Sequence, residues 1–126
     1  MFQLYIATLI KLTPLLLLAK PVSAVGCFSS GQQESAGAVV GAISAACDTL
    51  AGTYVGGQIE TACENLSDGN RVNFEIALAG GAATTSISVS DCIAQNTDTA
   101  AGCDEHGGIR QFNQFQLTLD PNTGAC

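Results

Sequence analysis

Basic side chains are nearly missing from this chain. Four Lys and Arg stand against eleven Asp and Glu in 126 residues, a formal net charge of −7. Lys11 and Lys20 both fall in the first 24 residues, so residues 25–126 keep only Arg71 and Arg110 against the eleven acids, or −9. That sign repels nucleic acid backbones and anionic membrane surfaces, and it excludes a basic antimicrobial type of toxin. Neutral partners such as glycans, and basic protein surfaces, stay open. Histidine is confined to His106, and no Cys-x-x-Cys spacing occurs, so a structural zinc site lacks its ligands. No metal or other cofactor is expected. Tryptophan is absent, which removes the largest aromatic platform for a sugar ring.

A long apolar run is also lacking. The N-terminal run is interrupted by Lys11 and Pro14 and falls short of the roughly 20 apolar residues a membrane span needs. Leu15 to Ala19 make a compact apolar core, and Val22-Ser23-Ala24 supply the small residues of a cleavage site. Residues 1–24 therefore read as a secretory signal peptide, and 25–126 as one cysteine-rich domain. The expected location is secreted and extracellular, without membrane insertion.

What the chain does have is cysteine. Cys27, Cys47, Cys63, Cys92, Cys103 and Cys126 all follow the leader. An even number behind a signal peptide argues for three disulfides in an oxidising compartment, which leaves no thiol for nucleophilic catalysis. About fifteen pairings are open. Cys47 and Cys63, facing each other across a turn, are a reasonable pair. Cys92 and Cys103 would lie too far apart to bond if the helix between them is intact.

Glu34 to Gly52 carries the strongest periodic signal. Ala36, Val39, Val40, Ile43, Ala46, Cys47 and Leu50 follow the spacing of one helix face. Ser35 reads as the N-cap and Gly52 as the residue that ends the helix. Val25 to Ser29 predicts a short edge strand. Thr53-Tyr54-Val55 is β-prone, and Gln58 to Asn65 fits either a strand or a helical turn. Arg71 to Ala79 alternates cleanly, with Val72, Phe74, Ile76 and Leu78 inward. Thr84 to Val89 predicts its hairpin partner. Ser90 reads as the N-cap of a second helix, Asp91 to about Ala100. Ile109 to Leu119 reads as one last strand, with a bulge where Phe112 falls out of phase with Phe115. Asp120-Pro121-Asn122-Thr123-Gly124 signals a turn before Cys126. Together these elements predict an α+β domain around an antiparallel sheet of four to five strands, stapled by disulfides.

Catalytic constellations are weak. His106 is the one candidate base for a serine-type hydrolase, with Asp104 and Glu105 beside it, but no Gly-x-Ser-x-Gly elbow exists. Glu105, His106 and Arg110 raise a nuclease, which the acidic charge opposes. A small secreted hydrolase using His106 stays an alternative, and the protein is expected not to be an enzyme. For sugar recognition the candidates are Tyr54 and the amide-rich run Arg110, Gln111, Phe112, Asn113 and Gln114. Asn65-Leu66-Ser67 is an N-glycosylation sequon before a turn, so Asn65 is a candidate modification site.

The cysteine framework carries a resemblance. Gly26-Cys27-Phe28-Ser29-Ser30-Gly31-Gln32 opens the domain, and Ala46-Cys47-Asp48-Thr49-Leu50-Ala51-Gly52-Thr53-Tyr54 ends the first helix. Cys63, Asn73-Phe74, Ser90-Asp91-Cys92, Cys103, Gly107-Gly108 and Asp120-Pro121-Asn122-Thr123-Gly124-Ala125-Cys126 follow in order. In this the chain resembles the small secreted glycan-binding proteins of mushrooms, first described from an ink-cap. The resemblance implies an α/β/α-type sandwich and a homodimer whose sheets join. It also implies lectin-like, non-catalytic binding of glycans or glycoproteins, in a defence or toxin setting. A looser likeness is to cysteine-rich fungal effectors and killer-toxin-like proteins, which act on a host or competitor protein.

Overall fold

A computed structural model describes residues 25–103 and 105–126; the expected leader, 1–24, and Asp104 lie outside the described residues. The elements run β1 (Val25–Cys27), α1 (Ala36–Leu50), β2 (Gly52–Tyr54), β3 (Ile59–Asn65), β4 (Arg71–Leu78), β5 (Thr85–Ile87), α2 (Val89–Gly102), β6 (Gly108–Phe112) and β7 (Phe115–Asn122). Five strands form one antiparallel sheet in the order β1-β6-β7-β4-β3, and β2 pairs with β5 in a separate ribbon. The α+β class expected from the sequence holds. Both helices pack on each other and on one face of the sheet: α1 lies against β3 and β4, and α2 against β6, β7 and β1. Among the described residues the other face carries no helix. The α/β/α-type layering implied by the resemblance is therefore realised here as two layers.

The first helix forms where its periodicity places it. The Ser35 hydroxyl accepts a hydrogen bond from Ala38 N, closing the first turn, and Ala51 caps the other end. Val39, Ile43, Ala46, Cys47 and Leu50 are buried, whereas Val40, at the margin of the stripe, is 48% exposed. The β4 alternation is also realised. Val72, Phe74, Ile76 and Leu78 meet Phe115, Leu117 and Leu119 of β7 in the core.

Three expectations about the strands and helices are corrected. Thr85–Ile87 does not pair with β4, because β3 and β7 already occupy both edges of β4; it pairs with β2 instead. The second helix starts earlier, capped by the Ser88 hydroxyl on Asp91 N at 3.0 Å, so Val89 opens a helix rather than closing a strand. Ile109 to Leu119 is a hairpin of two strands rather than one bulged strand. Asn113, at φ 53°, turns the chain, and Phe112 lies opposite Phe115 on the same face. That pairing is the physical source of the broken phase. β7 continues through Asp120-Pro121 to Asn122. Its neighbour β6 has already begun opposite Leu119, so Pro121 sits where one side of β7 is an edge and its missing N–H is tolerated.

Three disulfides fasten these parts: Cys27–Cys103, Cys47–Cys92 and Cys63–Cys126. The Cys47–Cys63 pairing is thus corrected. Cys63 points away from the helices toward the chain end, while Cys47 faces Cys92 across the α1–α2 contact. Cys92 and Cys103 are not bonded to each other, as the intact helix between them requires. Gln58 to Asn65 resolves as a strand, and β1 is an edge strand as expected.

Candidate functional site

Alternation along the strands decides what the uncovered face presents. Residues that pair across β3, β4, β7 and β6 stack into rows on one side of the sheet. One row reads Ile59, Ala77, Gln116 and Gln111; the next reads Thr61, Glu75, Thr118 and Ile109. A third holds Cys63, Asn73 and Asp120, and a fourth Asn65, Arg71 and Asn122. The inward alternates are the core, and the uncovered rows are polar except at Ile59, Ala77, Ile109 and Cys63.

The far end of this face is closed by the chain terminus. Arg71 Nη1 donates to Thr123 O at 2.7 Å, and Cys126 N donates to Asn65 Oδ1 at 2.8 Å beside the Cys63–Cys126 bond. Arg71 Nε and Asn122 Nδ2 both donate to Asn73 Oδ1, at 3.0 and 2.9 Å. With its oxygen doubly engaged, the Asn73 amide has its N–H₂ as the free arm. Between this closed end and the first row lies a shallow depression of about 300 Å³, lined by Thr61, Asn73, Phe74, Glu75, Thr118 and Asp120. Among the described residues neither Glu75 nor Asp120 forms an ion pair. The one pair there joins Arg110 to Asp98 at 3.5 Å, on α2.

The sequence-derived candidates scatter. Tyr54 is 2% exposed in the core, its hydroxyl donates to Leu50 O at 2.7 Å, and its ring meets Phe115 edge-on at 5.5 Å. Burial, reinforced by the Glu60 charge, pushes its pKa up to about 12. The amide-rich run is split by strand alternation. Arg110 turns to the helices, where its Nε donates to Gln95 Oε1 at 2.6 Å, and Phe112 packs half-buried against the core. Gln111 lies on the uncovered face, bonded to Gln116 Oε1 at 2.9 Å, and Asn113 is exposed at the hairpin turn. Asn65 is exposed at the end of β3.

His106 stands alone. Its Nδ1 is buried and has no hydrogen-bond partner among the described residues, and Arg110 is engaged by α2. Among the described residues, which leave out Asp104, no hydrolase or nuclease constellation assembles around it. Among the described residues no cluster of His, Cys, Asp or Glu could hold a metal ion, and no helix is long and apolar enough to cross a membrane.

Residues 40–126 match the family model described as Glycan binding domain Y3. The chain belongs to this family. The match takes in most of α1 and every later element of the Y3 glycan-binding domain, so the polar sheet face and all but Cys27 of the disulfide framework lie within it. No curated protein matches the chain. Sequence reasoning missed Thr61, Glu75, Thr118 and Asp120 as a group. Each is the polar alternate of its strand, and only the register of β3, β4 and β7 brings them together.

Proposed function

We propose that the protein is a secreted, non-catalytic, lectin-like protein that binds glycans or glycoproteins, of the fungal kind, with a role in defence or toxicity. Residues 1–24 act as its signal peptide, and 25–126 are the mature domain. The observation that carries the reading is the match to a glycan-binding domain family over residues 40–126. The sheet agrees with it: a rigid, disulfide-fastened frame leaves one polar face free to meet hydroxyl-rich ligands. The protein works as a homodimer by sheet extension. The seven-residue edge strand β3 offers the longer free edge, with Ile59 58% exposed beside it.

A second reading rests on the burial of Tyr54, which takes one of the two expected aromatic contacts into the core. It is an effector or killer-toxin-like protein that acts on a partner protein. A glycan array probed with disulfide-intact protein separates the two. Binding to a defined set of glycans is expected, and no binding at high protein concentration would turn the reading to the protein partner.

A further inference from the structure

We propose that the depression between Thr61, Asn73, Glu75, Thr118 and Asp120 is a sugar seat that takes one neutral pyranose ring and shuts out anionic sugars. The proposal rests on the glycan-binding reading above and adds the place and the ligand class.

Size sets the first limit. About 300 Å³ is at the small end of ligand sites, which run from roughly 300 to 1,000 Å³. That suits one ring, with the rest of a glycan leaving along the face. Register sets the second. Glu75 lies opposite Thr118, and Asp120 lies two residues further along β7, so the two carboxylates are diagonal neighbours. Such neighbours are roughly 7–8 Å apart at Cα, a gap that a ring with hydroxyls on either side can bridge. Chemistry sets the third. Carboxylates accept from hydroxyl donors more strongly than neutral groups do. The Asn73 N–H₂, freed because its oxygen is held by Arg71 and Asn122, can donate back to a sugar oxygen. Thr61 and Thr118 add hydroxyls that both donate and accept.

Charge sets the fourth limit. Among the described residues no ion pair offsets Glu75 or Asp120. Arg71, the cation on this face, sits at the closed end with its guanidinium turned to Asn73 and Thr123. A sulfate or carboxylate on the ligand would therefore meet like charge. Phe74 is the one aromatic residue among those that line the seat, and its side chain is buried in the core, as is that of Phe115; Phe112 is on the helix side. Recognition here is by hydrogen bonds, so one seat holds its ring weakly, and firm binding needs several seats on one display.

The test uses immobilised lactose, maltotriose, mannotriose and triacetylchitotriose, each beside its sulfated form. Wild-type protein should bind at least one neutral member and not its sulfated form. Glu75→Gln with Asp120→Asn, folded and fully disulfide-bonded, should bind that member about tenfold or more weaker. Val40→Ser, on the exposed side of α1, should bind as wild type does. A measurement on wild type alone guards against a variant that fails to fold. Carbodiimide-driven amidation of Glu75 and Asp120, read by mass spectrometry, should fall when the bound sugar is added, while Glu60 and Glu64 label as before. Wild type that binds nothing removes the glycan-binding reading, and the seat with it. Wild type that binds with unchanged labelling at Glu75 and Asp120, or takes sulfated sugars equally well, overturns the seat and leaves the glycan-binding reading standing.

Discussion

Tyr54 shows how far a single residue can depart from its sequence. In a β-prone trio beside two glycines it reads as a free aromatic, yet it is a core ring tied to Leu50 O. Its removal from water comes from the β2–β5 pairing, which no local pattern announces. Tyr54→Phe should cost about 1–2 kcal/mol in denaturant unfolding, because the Leu50 carbonyl loses its partner, and glycan binding should not change. The raised pKa of about 12 fixes a pH window. The Tyr54 contribution is whole below its ordinary value of 10 and is lost as pH rises through about 12. Glu34 tests the opposite end of the scale. Burial raises its carboxyl above the ordinary 4.5, against the hydrogen bond from Asn70 Nδ2, while the backbone N–H of Asn70 holds Asp68 below its ordinary 3.8. A raised carboxyl contributes fully below its ordinary value and loses that contribution as pH rises from there through its shifted value. Glu34→Gln should therefore stabilise the protein at neutral pH, with the gain vanishing below about pH 4. An equal gain at both pH values, read by thermal melts, would contradict the assignment.

At the scale of elements, what is local was legible and what is distant was not. The α1 stripe and the β4 alternation depend on neighbours a few residues away, and both were readable to within two residues of their ends. The β6–β7 hairpin was not, since Asn113-Gln114 lacks the glycine that usually marks such a turn. No apolar stripe marks the inner face of α2, because Asn96 and Thr99 are buried there; Asn96 Nδ2 donates back to Cys92 O at 3.0 Å beside the Cys47–Cys92 bond. That bond closes 45 residues, and Cys47→Ala with Cys92→Ala should cost about 4 kcal/mol in denaturant unfolding. Gly107 and Gly108 mark the other tight junction. A Cβ on Gly107, at φ 79°, would strike Leu119 O, and one on Gly108 would crowd Gly26 O and the Cys103 sulfur. Gly108→Ala should thus destabilise by about 1–3 kcal/mol and loosen β1 from the sheet, an effect amide hydrogen exchange at Phe28, whose N–H donates to Gly107 O at 2.9 Å, would report.

At the scale of the whole molecule, two helices cover one face of a five-stranded sheet, three disulfides fasten the parts, and the other face is left without a helix among the described residues. The class of this architecture was readable from the strand and helix order, but the make-up of the uncovered face was not. Thr61, Glu75 and Thr118 are far apart in sequence and meet only through the β3-β4-β7 register. If β3 also joins a second copy, the two faces become one broader surface. Sedimentation should then give a dimer, and Ile59→Lys, which puts a charge on that edge, should give a monomer. The most direct test of the account is amide chemical-shift mapping of wild-type protein titrated with the neutral oligosaccharide the array selects. The account predicts shifts concentrated at residues 61, 73, 75, 118 and 120. Shifts confined to α1, α2 or the Asn113 turn would contradict it.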